Sequence, residues 1–368
     1  MSTQLASVVI IGASHAGLGV THKLLRQTTK ASITLINPSD EYYFNIAAPR
    51  FLVKPESLPS SKYLFNIRDS FTEYPNDTIT FIKGLATKID YAKKSSHPEA
   101  PPPRPSGQGR LKLPFKTTAF ENTRDAISAA QKTLQSATRI VIGGGGPLGV
   151  ELTGELAEAP GPAKTITLIS KTESLLPDAP TTVQRTAESL LQRKSIEVLK
   201  PVTVRHATQD PNTQTWTITL STDQTITADA YISTTGTIPN NAYIPTTFLT
   251  PDGWVKVDEH LNVVDTETSL PDIYAVGDIT YHPDRLLSRV SKQAITVAVN
   301  IVSRIENEYR PVRYSADAQM KMLVVSVGRG TGTGHLAGWT LWGCLVWVFK
   351  GRDYLTYEAG KFWRGRAK

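Results

Sequence analysis

The sequence contains one arrangement twice: a short apolar strand, a turn rich in small residues, and a helix with apolar periodicity. Residues 7–17 hold the first copy and residues 139–151 the second. In such a unit the first small residue permits a tight turn, the second lets the backbone approach a pyrophosphate, and the third lets the helix pack on the strand. These positions hold Gly12, Ser14 and Gly17 in the first copy and Gly144, Gly146 and Gly149 in the second. Two such units predict an α/β protein with two dinucleotide-binding domains.

The first copy departs from an all-glycine turn at its middle position, where Ser14 replaces glycine. Serine is small and its hydroxyl can hydrogen-bond a phosphate, so the departure is conservative. A purely structural turn is the alternative for this copy alone, because glycine-rich turns are common. In the second copy, the spacing of Glu151 and Glu155 places both carboxylates on one side of the following helix.

Composition limits the chemistry that the protein itself can carry. A single cysteine, Cys344, in 368 residues excludes an internal disulfide, a dithiol redox pair and a cysteine-based zinc site. The histidines do not cluster at metal-ligand spacing and no hydrolase signature is present, so we predict no metal centre. The length of the chain is enough for about two or three domains, and its hydrophobic content of 40% is enough for each to have a hydrophobic core. Any redox chemistry must therefore use something other than protein thiols.

Two later segments complete the pattern. Residues 230–240 end a β-rich stretch and carry Gly236, and residues 270–278 end on Gly277 and Asp278 before a helical run. With these motifs in this order, the chain resembles the FAD-dependent pyridine nucleotide-disulfide oxidoreductase superfamily. It is similar above all to the apoptosis-inducing-factor-like branch that contains ferroptosis suppressor protein. The stretches that carry this second resemblance are residues 43–50, 146–155 and 327–353.

The resemblance implies a glutathione-reductase-like α/β fold, with two Rossmann-like domains and a small α+β C-terminal domain. Residues 1–118 and 249–308 would form the FAD-binding domain, residues 119–248 the NAD(P)H-binding domain, and residues 309–368 the C-terminal domain. The chain would pass hydride from NAD(P)H through the flavin to a quinone or a similar small lipophilic acceptor. The lack of a cysteine pair agrees with a branch that does not reduce disulfides.

The resemblance also assigns site residues. FAD would contact Gly12, Ser14, Gly17, Asn37, Arg50, Gly277 and Asp278, with Lys292 and Gln293 near the pyrimidine end of the flavin. NAD(P)H would lie on Gly144, Gly146 and Gly149, with Gly236 nearby. Glu151 is predicted to orient the nicotinamide, and Glu155 is a weaker second candidate. Asn37 stands where many relatives place the acid that holds the adenosine ribose. His15 is expected to be a packed or solvent-facing turn residue, with a phosphate or flavin contact as the alternative.

The preference between NADH and NADPH depends on the strand at residues 165–171. No carboxylate ends this strand, so a 2′-phosphate is not repelled there, and Ser170 and Lys171 are placed to hold one. This slightly favours NADPH. The alternative is that Lys171 is a solvated loop cation and that the enzyme uses either nucleotide.

The resemblance is weakest between Asp90 and Lys116. Relatives carry a hairpin and a further strand there, whereas this stretch is rich in proline, serine and lysine and lacks apolar alternation. We therefore predict a mobile loop and a flavin-domain sheet that lacks one strand. FAD affinity is the property that such a shortened domain puts at risk.

The C-terminal segment combines aromatic and basic residues. Residues 350–368 hold six basic and two acidic residues, more than half of the net charge of +7. The aromatics are Trp339, Trp342, Trp347, Phe349, Tyr354, Tyr357 and Trp363. Core packing is the prediction for most of them. A peripheral membrane contact or a homodimer face is the alternative, and a charge excess confined to one end does not indicate nucleic-acid binding.

Targeting signals are weak. The N-terminal residues lack a basic region and a cleavage site, Ser2 excludes N-myristoylation, and residues 337–349 are too few to span a membrane. We expect a cytoplasmic protein that is not secreted, with membrane association or a mitochondrial location as alternatives. Two other functions stay open: a tailoring oxidoreductase of specialised metabolism, and a degenerate, non-catalytic flavin fold in cell-death signalling.

Overall fold

The computed structural model describes residues 5–91, 95–99, 123–236, 238–282, 286–308, 310–315 and 322–367, with side chains described outside 95–99. The strands are β1 (Ala6–Ile11), β2 (Ala31–Asn37), β3 (Glu41–Tyr43), β4 (Leu64–Asn66), β5 (Ile79–Lys83), β6 (Leu85–Asp90), β7 (Ser95–Glu99), β8 (Arg139–Gly143), β9 (Thr165–Ile169), β10 (Glu197–Leu199), β11 (Val204–Gln209), β12 (Trp216–Leu220), β13 (Thr225–Ala228), β14 (Ala230–Ser233), β15 (Asn262–Asp265), β16 (Thr268–Tyr274), β17 (Met322–Ser326), β18 (Gly332–Leu336) and β19 (Trp339–Thr340). The helices are α1 (His15–Gln27), α2 (Ala48–Val53), α3 (Thr123–Ser136), α4 (Pro147–Leu156), α5 (Thr181–Gln192), α6 (Leu287–Ile305), α7 (Gly343–Val346) and α8 (Thr356–Trp363).

Both glycine turns lie at the carboxyl end of a strand in a parallel sheet. The first sheet has the order β1-β2-β5 and the second the order β10-β9-β8-β14. Strands β2, β8, β9 and β14 are mostly buried, whereas the residues of β1 are half-buried or exposed. In the first unit, α1 packs along α6. The predicted α/β fold with Rossmann-type parallel sheets is confirmed.

The segment predicted to be a loop is partly a strand. Ser95–Glu99 form β7, which pairs antiparallel with β6, so the loop prediction is wrong for these five residues. The backbone hydrogen bonds of a two-stranded ribbon need no apolar alternation in the side chains, which is why the sequence pattern missed it. Residues 92–94 and 100–116 of that prediction lie outside the described residues.

The C-terminal unit is a three-stranded antiparallel sheet, β17-β18-β19, followed by α7, a single π-type turn over Trp347–Gly351, and α8. Its sheet packs against α4 and α5 of the second unit, and α8 packs against α1 of the first. One apolar core runs through all three units, with Leu18, Ile140 and Val325 among its buried members. None of the helices in the described part of the chain has the length and hydropathy that crossing a membrane requires.

The prediction that most C-terminal aromatics pack in a core is wrong. Tyr354 is buried and Trp363 is partly buried, whereas the other five are exposed: Trp339, Trp342, Trp347, Phe349 and Tyr357. The inner positions of this unit are taken by small apolar side chains such as Val325 and Val346. A sheet of three short strands encloses too little volume for seven large rings.

His22 joins the C-terminal segment to α1. Its Nε2 donates to the Trp363 carbonyl at 3.0 Å and its Nδ1 lies 3.0 Å from the Tyr74 hydroxyl. The pKa of His22 is lowered to about 4, chiefly by burial and to a smaller extent by the Arg26 and Arg366 cations, while the hydrogen bond to the Trp363 carbonyl and the Glu73 carboxylate oppose this shift. The folded state therefore holds a neutral His22 at neutral pH.

This neutral histidine predicts acid sensitivity. The unfolded chain binds a proton at His22 below its ordinary pKa of 6.5, while the folded chain does so only near pH 4, so stability is full above pH 6.5 and falls as the pH drops to 4. The apparent free energy of unfolding of the wild type should fall by roughly 3 kcal/mol more than that of His22→Asn over this range. Denaturant titrations at both pH values measure the difference, and equal losses would contradict the assignment.

Candidate active site

The first glycine turn is built as the sequence predicts. Gly12 has φ +99°, and a Cβ on Gly17 would stand 1.7 Å from the Gly12 carbonyl oxygen, so α1 touches the turn too closely for any side chain. Ser14 precedes α1 without making a side-chain capping hydrogen bond. The N–H groups at the start of α1 thus have no capping side chain, which is the arrangement that binds a phosphate group.

Asn37 holds this turn in place. Its Oδ1 accepts a hydrogen bond from the Ala13 backbone N–H at 2.9 Å, and its Nδ2 donates to the Ser39 carbonyl at 2.6 Å. The side chain predicted to reach the adenosine ribose is therefore engaged with the turn itself. Its contact with ribose stays a prediction.

The second glycine turn repeats the geometry. Gly144 has φ +128°, and a Cβ on Gly149 would stand 1.8 Å from the Gly144 carbonyl oxygen. Gly146 precedes α4 with open space where a side chain would be, so a ligand can approach its backbone. The Thr234 hydroxyl, just after β14, donates to the Gly143 carbonyl at 3.0 Å and ties the turn to the next strand.

The Gly-Asp motif lies against the first turn. Gly277 has φ +80°, and a Cβ there would stand 3.1 Å from the Ala16 Cβ, in the first turn of α1. The Gly277 N–H donates to Gln293 Oε1 at 2.7 Å, so Gln293 braces the motif from α6. The negative charge of Asp278 acts on His15, which places this carboxylate near the start of α1.

Three further predicted residues lie in exposed positions. Lys292 is exposed on α6, about one and a half turns after its start at Leu287. Lys171 is exposed just beyond β9, and Gly236, with φ +65°, is exposed beyond β14. Their roles toward a cofactor stay predictions.

His15 supplies an independent sign that a ligand belongs beside the first turn. Its Nδ1 lies 2.7 Å from the Tyr42 hydroxyl and the Asn45 side chain hydrogen-bonds the ring, whereas Nε2 is shielded from solvent without a geometrically good partner of its own among the described residues. Burial lowers the pKa of His15 to about 4, so the ring is neutral. A neutral imidazole edge beside an uncapped helix start can hydrogen-bond a polar group of a dinucleotide whose pyrophosphate lies at that helix start.

A buried ion pair joins the first unit to the second. Arg50 on α2 is 2% exposed and donates twice to Glu155 on α4, Nε to Oε2 and Nη2 to Oε1, both at 2.8 Å. Arg50 also donates to the Gly351 carbonyl at 2.9 Å, and Lys54 Nζ lies 3.0 Å from Glu155 Oε2. The guanidinium predicted near the flavin pyrophosphate is thus held by Glu155, and any cofactor contact it makes stays a prediction.

A second buried pair joins α4 to the C-terminal unit. Lys350 Nζ lies 2.5 Å from Glu151 Oε1, and the Ser326 N–H donates to the same oxygen at 3.3 Å. Burial raises the pKa of the Glu151 carboxyl, and the Lys350 cation opposes that rise. Glu151 and Glu155 therefore lie on one face of α4, as their spacing predicts, and each has a basic partner.

Tyr354 links the two buried ion pairs through hydrogen bonds of its hydroxyl group. Its hydroxyl donates to Glu155 Oε1 at 3.2 Å and accepts from Ser326 Oγ at 2.7 Å, while the Arg50 guanidinium lies 4.8 Å from its ring centroid. Burial is the main reason why the pKa of Tyr354 is raised well above its ordinary value. The link from Ser326 to Glu151 is made by the Ser326 backbone N–H, so these hydrogen bonds fix the two carboxylates relative to each other.

Sequence reasoning missed Lys54, Lys350 and Tyr354. Lys350 was counted only as one charge of a basic tail, although it adjoins the Gly-Arg-Asp stretch that carries part of the resemblance. It meets Glu151 only because the C-terminal sheet packs on α4, a contact between distant parts of the chain that no local pattern shows.

Comparison with known proteins agrees with this geometry. The profile of the family described as pyridine nucleotide-disulphide oxidoreductase matches residues 6–302. Oxidoreductase ptaL of Pestalotiopsis fici is 30% identical over 362 residues, which cover 92% of this chain and 94% of that protein. Ferroptosis suppressor protein 1 of Mus musculus is 25% identical, with 99% and 97% covered. Among solved structures, the sulfide:quinone oxidoreductase of Aquifex aeolicus superposes with a TM-score of 0.73 at 17% identity, over 98% of this chain and 92% of that one.

Proposed function

Because the chain belongs to the pyridine nucleotide-disulphide oxidoreductase family, we propose that it carries hydride from NAD(P)H through FAD to a quinone or similar small lipophilic acceptor. The observation that carries the proposal is the pair of glycine turns, each of which opens onto a helix start without a side-chain cap. FAD would lie on the turn at Gly12, which the Gly277–Asp278 motif adjoins. NAD(P)H would lie on the turn at Gly146. When bound, FAD supplies the two-electron chemistry that accepts hydride and releases electrons to the acceptor.

The buried pairs supply proton handling. Reduction of a quinone by NAD(P)H consumes one further proton: quinone, NAD(P)H and a proton give quinol and NAD(P)⁺. Lys350 Nζ holds a proton 2.5 Å from Glu151 Oε1, about one helical turn from the NAD(P)H turn. We assign to Lys350 and Glu151 the supply of that proton to the reaction. After each turnover, Lys350 would take up a new proton from solvent. Glu155, fixed by Arg50, keeps α4 in position relative to the first unit.

The acceptor must come from outside the chain. The single cysteine, Cys344, lies exposed on α7, so the protein has no dithiol to receive electrons. The likeness to the sulfide:quinone oxidoreductase named above is a likeness of fold alone and does not identify the acceptor. A second candidate is a tailoring oxidoreductase with one dedicated substrate, favoured by the higher identity to the fungal oxidoreductase ptaL than to ferroptosis suppressor protein 1.

The visible spectrum of the purified protein tests the proposal. We expect flavin absorbance that NADH or NADPH bleaches without oxygen, and that a water-soluble quinone restores. Bleaching that no quinone reverses would favour the dedicated-substrate alternative. A colourless protein that binds no added FAD would contradict both enzymatic readings and favour a non-catalytic fold.

The nucleotide preference has its own test in Lys171→Glu. A carboxylate beyond β9 would repel a 2′-phosphate, so the KM for NADPH should rise by about 10-fold while the KM for NADH stays within about twofold. The control is Lys132→Glu, which makes the same charge change at an exposed lysine of α3. Lys194→Glu is unsuitable because Lys194 forms an ion pair with Glu158. Equal effects on both nucleotides would contradict a phosphate contact.

A further inference from the structure

One short segment carries an aromatic face that points away from the protein. Trp339 and Trp342 are 81% and 75% exposed, and the large apolar side chains that follow them at helical spacing, Leu345, Val348 and Phe349, are each about two-fifths to one-half exposed. These five residues, which we call the aromatic face, follow one another along β19, α7 and the π-type turn. Soluble proteins seldom expose such a patch without a partner.

The same segment is fixed on its inner side, so the aromatic face cannot turn inward. Val346 and Tyr354 are fully buried, and Lys350 is held by Glu151. The Gly351 carbonyl accepts a hydrogen bond from Arg50. Because the inner side chains anchor the backbone in the site, the outer side chains are held toward solvent.

Two exposed cations follow the aromatic face along the chain, Arg352 directly after the π-type turn and Lys361 on α8. Arg352 and Lys361 are each 53% exposed at the side chain, whereas their acidic partners Asp353 and Glu358 are only 23% and 25% exposed. Tyr357 lies between the two cations, with the Arg352 guanidinium and the Lys361 ammonium within 6.0 Å of its ring centroid. Each ion pair has no net charge, but its cation is more exposed than its carboxylate. The charge that this surface presents to solvent is therefore positive.

We propose that the aromatic face docks on an anionic lipid surface. Tryptophan and tyrosine side chains are suited to the boundary between lipid headgroups and acyl chains, and exposed cations attract anionic lipids. A second copy fits less well, because a two-fold contact through this face would bring Arg352 and Lys361 toward their own equivalents. The proposal does not depend on the identity of the electron acceptor, since it concerns adsorption alone.

Vesicle flotation of the full chain tests the proposal. The protein should float with phosphatidylcholine vesicles that contain phosphatidylserine, and the Trp342→Ser/Phe349→Ser variant should lose at least about 10-fold in partition coefficient. Ile238→Ser is the matched control, since Ile238 is 69% exposed but lies in the second unit, and it should float as the wild type does. Arg352→Gln should weaken binding by about fivefold on these vesicles and leave binding to pure phosphatidylcholine unchanged.

Two further measurements keep the outcome decisive. The thermal midpoint of each variant should match the wild type, because every substituted side chain is exposed; a drop would assign the aromatic face to folding and overturn the proposal. Analytical ultracentrifugation identifies the other occupant. A wild-type dimer that Trp342→Ser/Phe349→Ser dissociates, with vesicle binding absent or unchanged, would assign the face to a second copy of the chain.

Discussion

Replacing Lys350 with methionine is expected to lower the turnover of NAD(P)H-dependent acceptor reduction by about 100-fold, the loss typical of removing a general acid. The variant leaves the Glu151 carboxylate buried without the cation that faces it at 2.5 Å. Glu151→Gln should lower turnover similarly, and Lys350→Arg should restore part of it because the positive charge returns. Lys361→Met removes an exposed lysine of the same segment and should be neutral.

The pH profile distinguishes this role from a structural one. The Lys350 cation lowers the pKa of the Glu151 carboxyl, against the burial that raises it, so its loss should raise that pKa further. The limb of the turnover profile that reports Glu151 should then move to higher pH in Lys350→Met, while the bound FAD stays at the wild-type level. Reduced turnover with an unmoved profile and lost FAD would contradict the assignment.

Arg50→Met is expected to lower the free energy of unfolding more than the loss of an exposed ion pair does. Among the described residues, it leaves the fully buried Glu155 with only Lys54 and the Tyr354 hydroxyl as partners. Removing one member of a buried ion pair costs about 3–5 kcal/mol, and the remaining Lys54 contact places this case near 3 kcal/mol. The thermal midpoint of the apoprotein is the measurement, since it is independent of any cofactor contact that Arg50 makes.

Two comparisons make the result specific. Lys83→Met breaks an ion pair with Asp40 whose side chains are about half exposed, and it should cost less than about 1 kcal/mol. Arg50→Met/Glu155→Gln should be less destabilised than the two single variants together, because the second substitution removes the orphaned charge. If Arg50→Met melts at the same temperature as Lys83→Met, the pair does not hold the first and second units together.

The glycine turns were readable from the sequence because their cause is local. Gly17 and Gly149 must lack a side chain, since a Cβ on either residue would stand within 2 Å of the carbonyl oxygen of the glycine that begins its own turn, and this requirement leaves a fixed spacing of small residues. Gly277 was readable because its φ of +80° is a backbone conformation that favours glycine. The strand at Ser95–Glu99 was not, because its pairing is made by the backbone and leaves no side-chain pattern.

The sequence by itself determined two glycine turns on Rossmann-type units, the lack of a cysteine pair and a family. Each of these rests on residue identity at fixed spacing or on composition. Only the tertiary structure decided which charges meet: Arg50 with Glu155, and Glu151 with Lys350, across contacts between units that are distant in the chain. It also decided that the C-terminal aromatics face outward. Whether a tryptophan is core or surface depends on the volume that neighbouring strands enclose, and no local pattern encodes that volume.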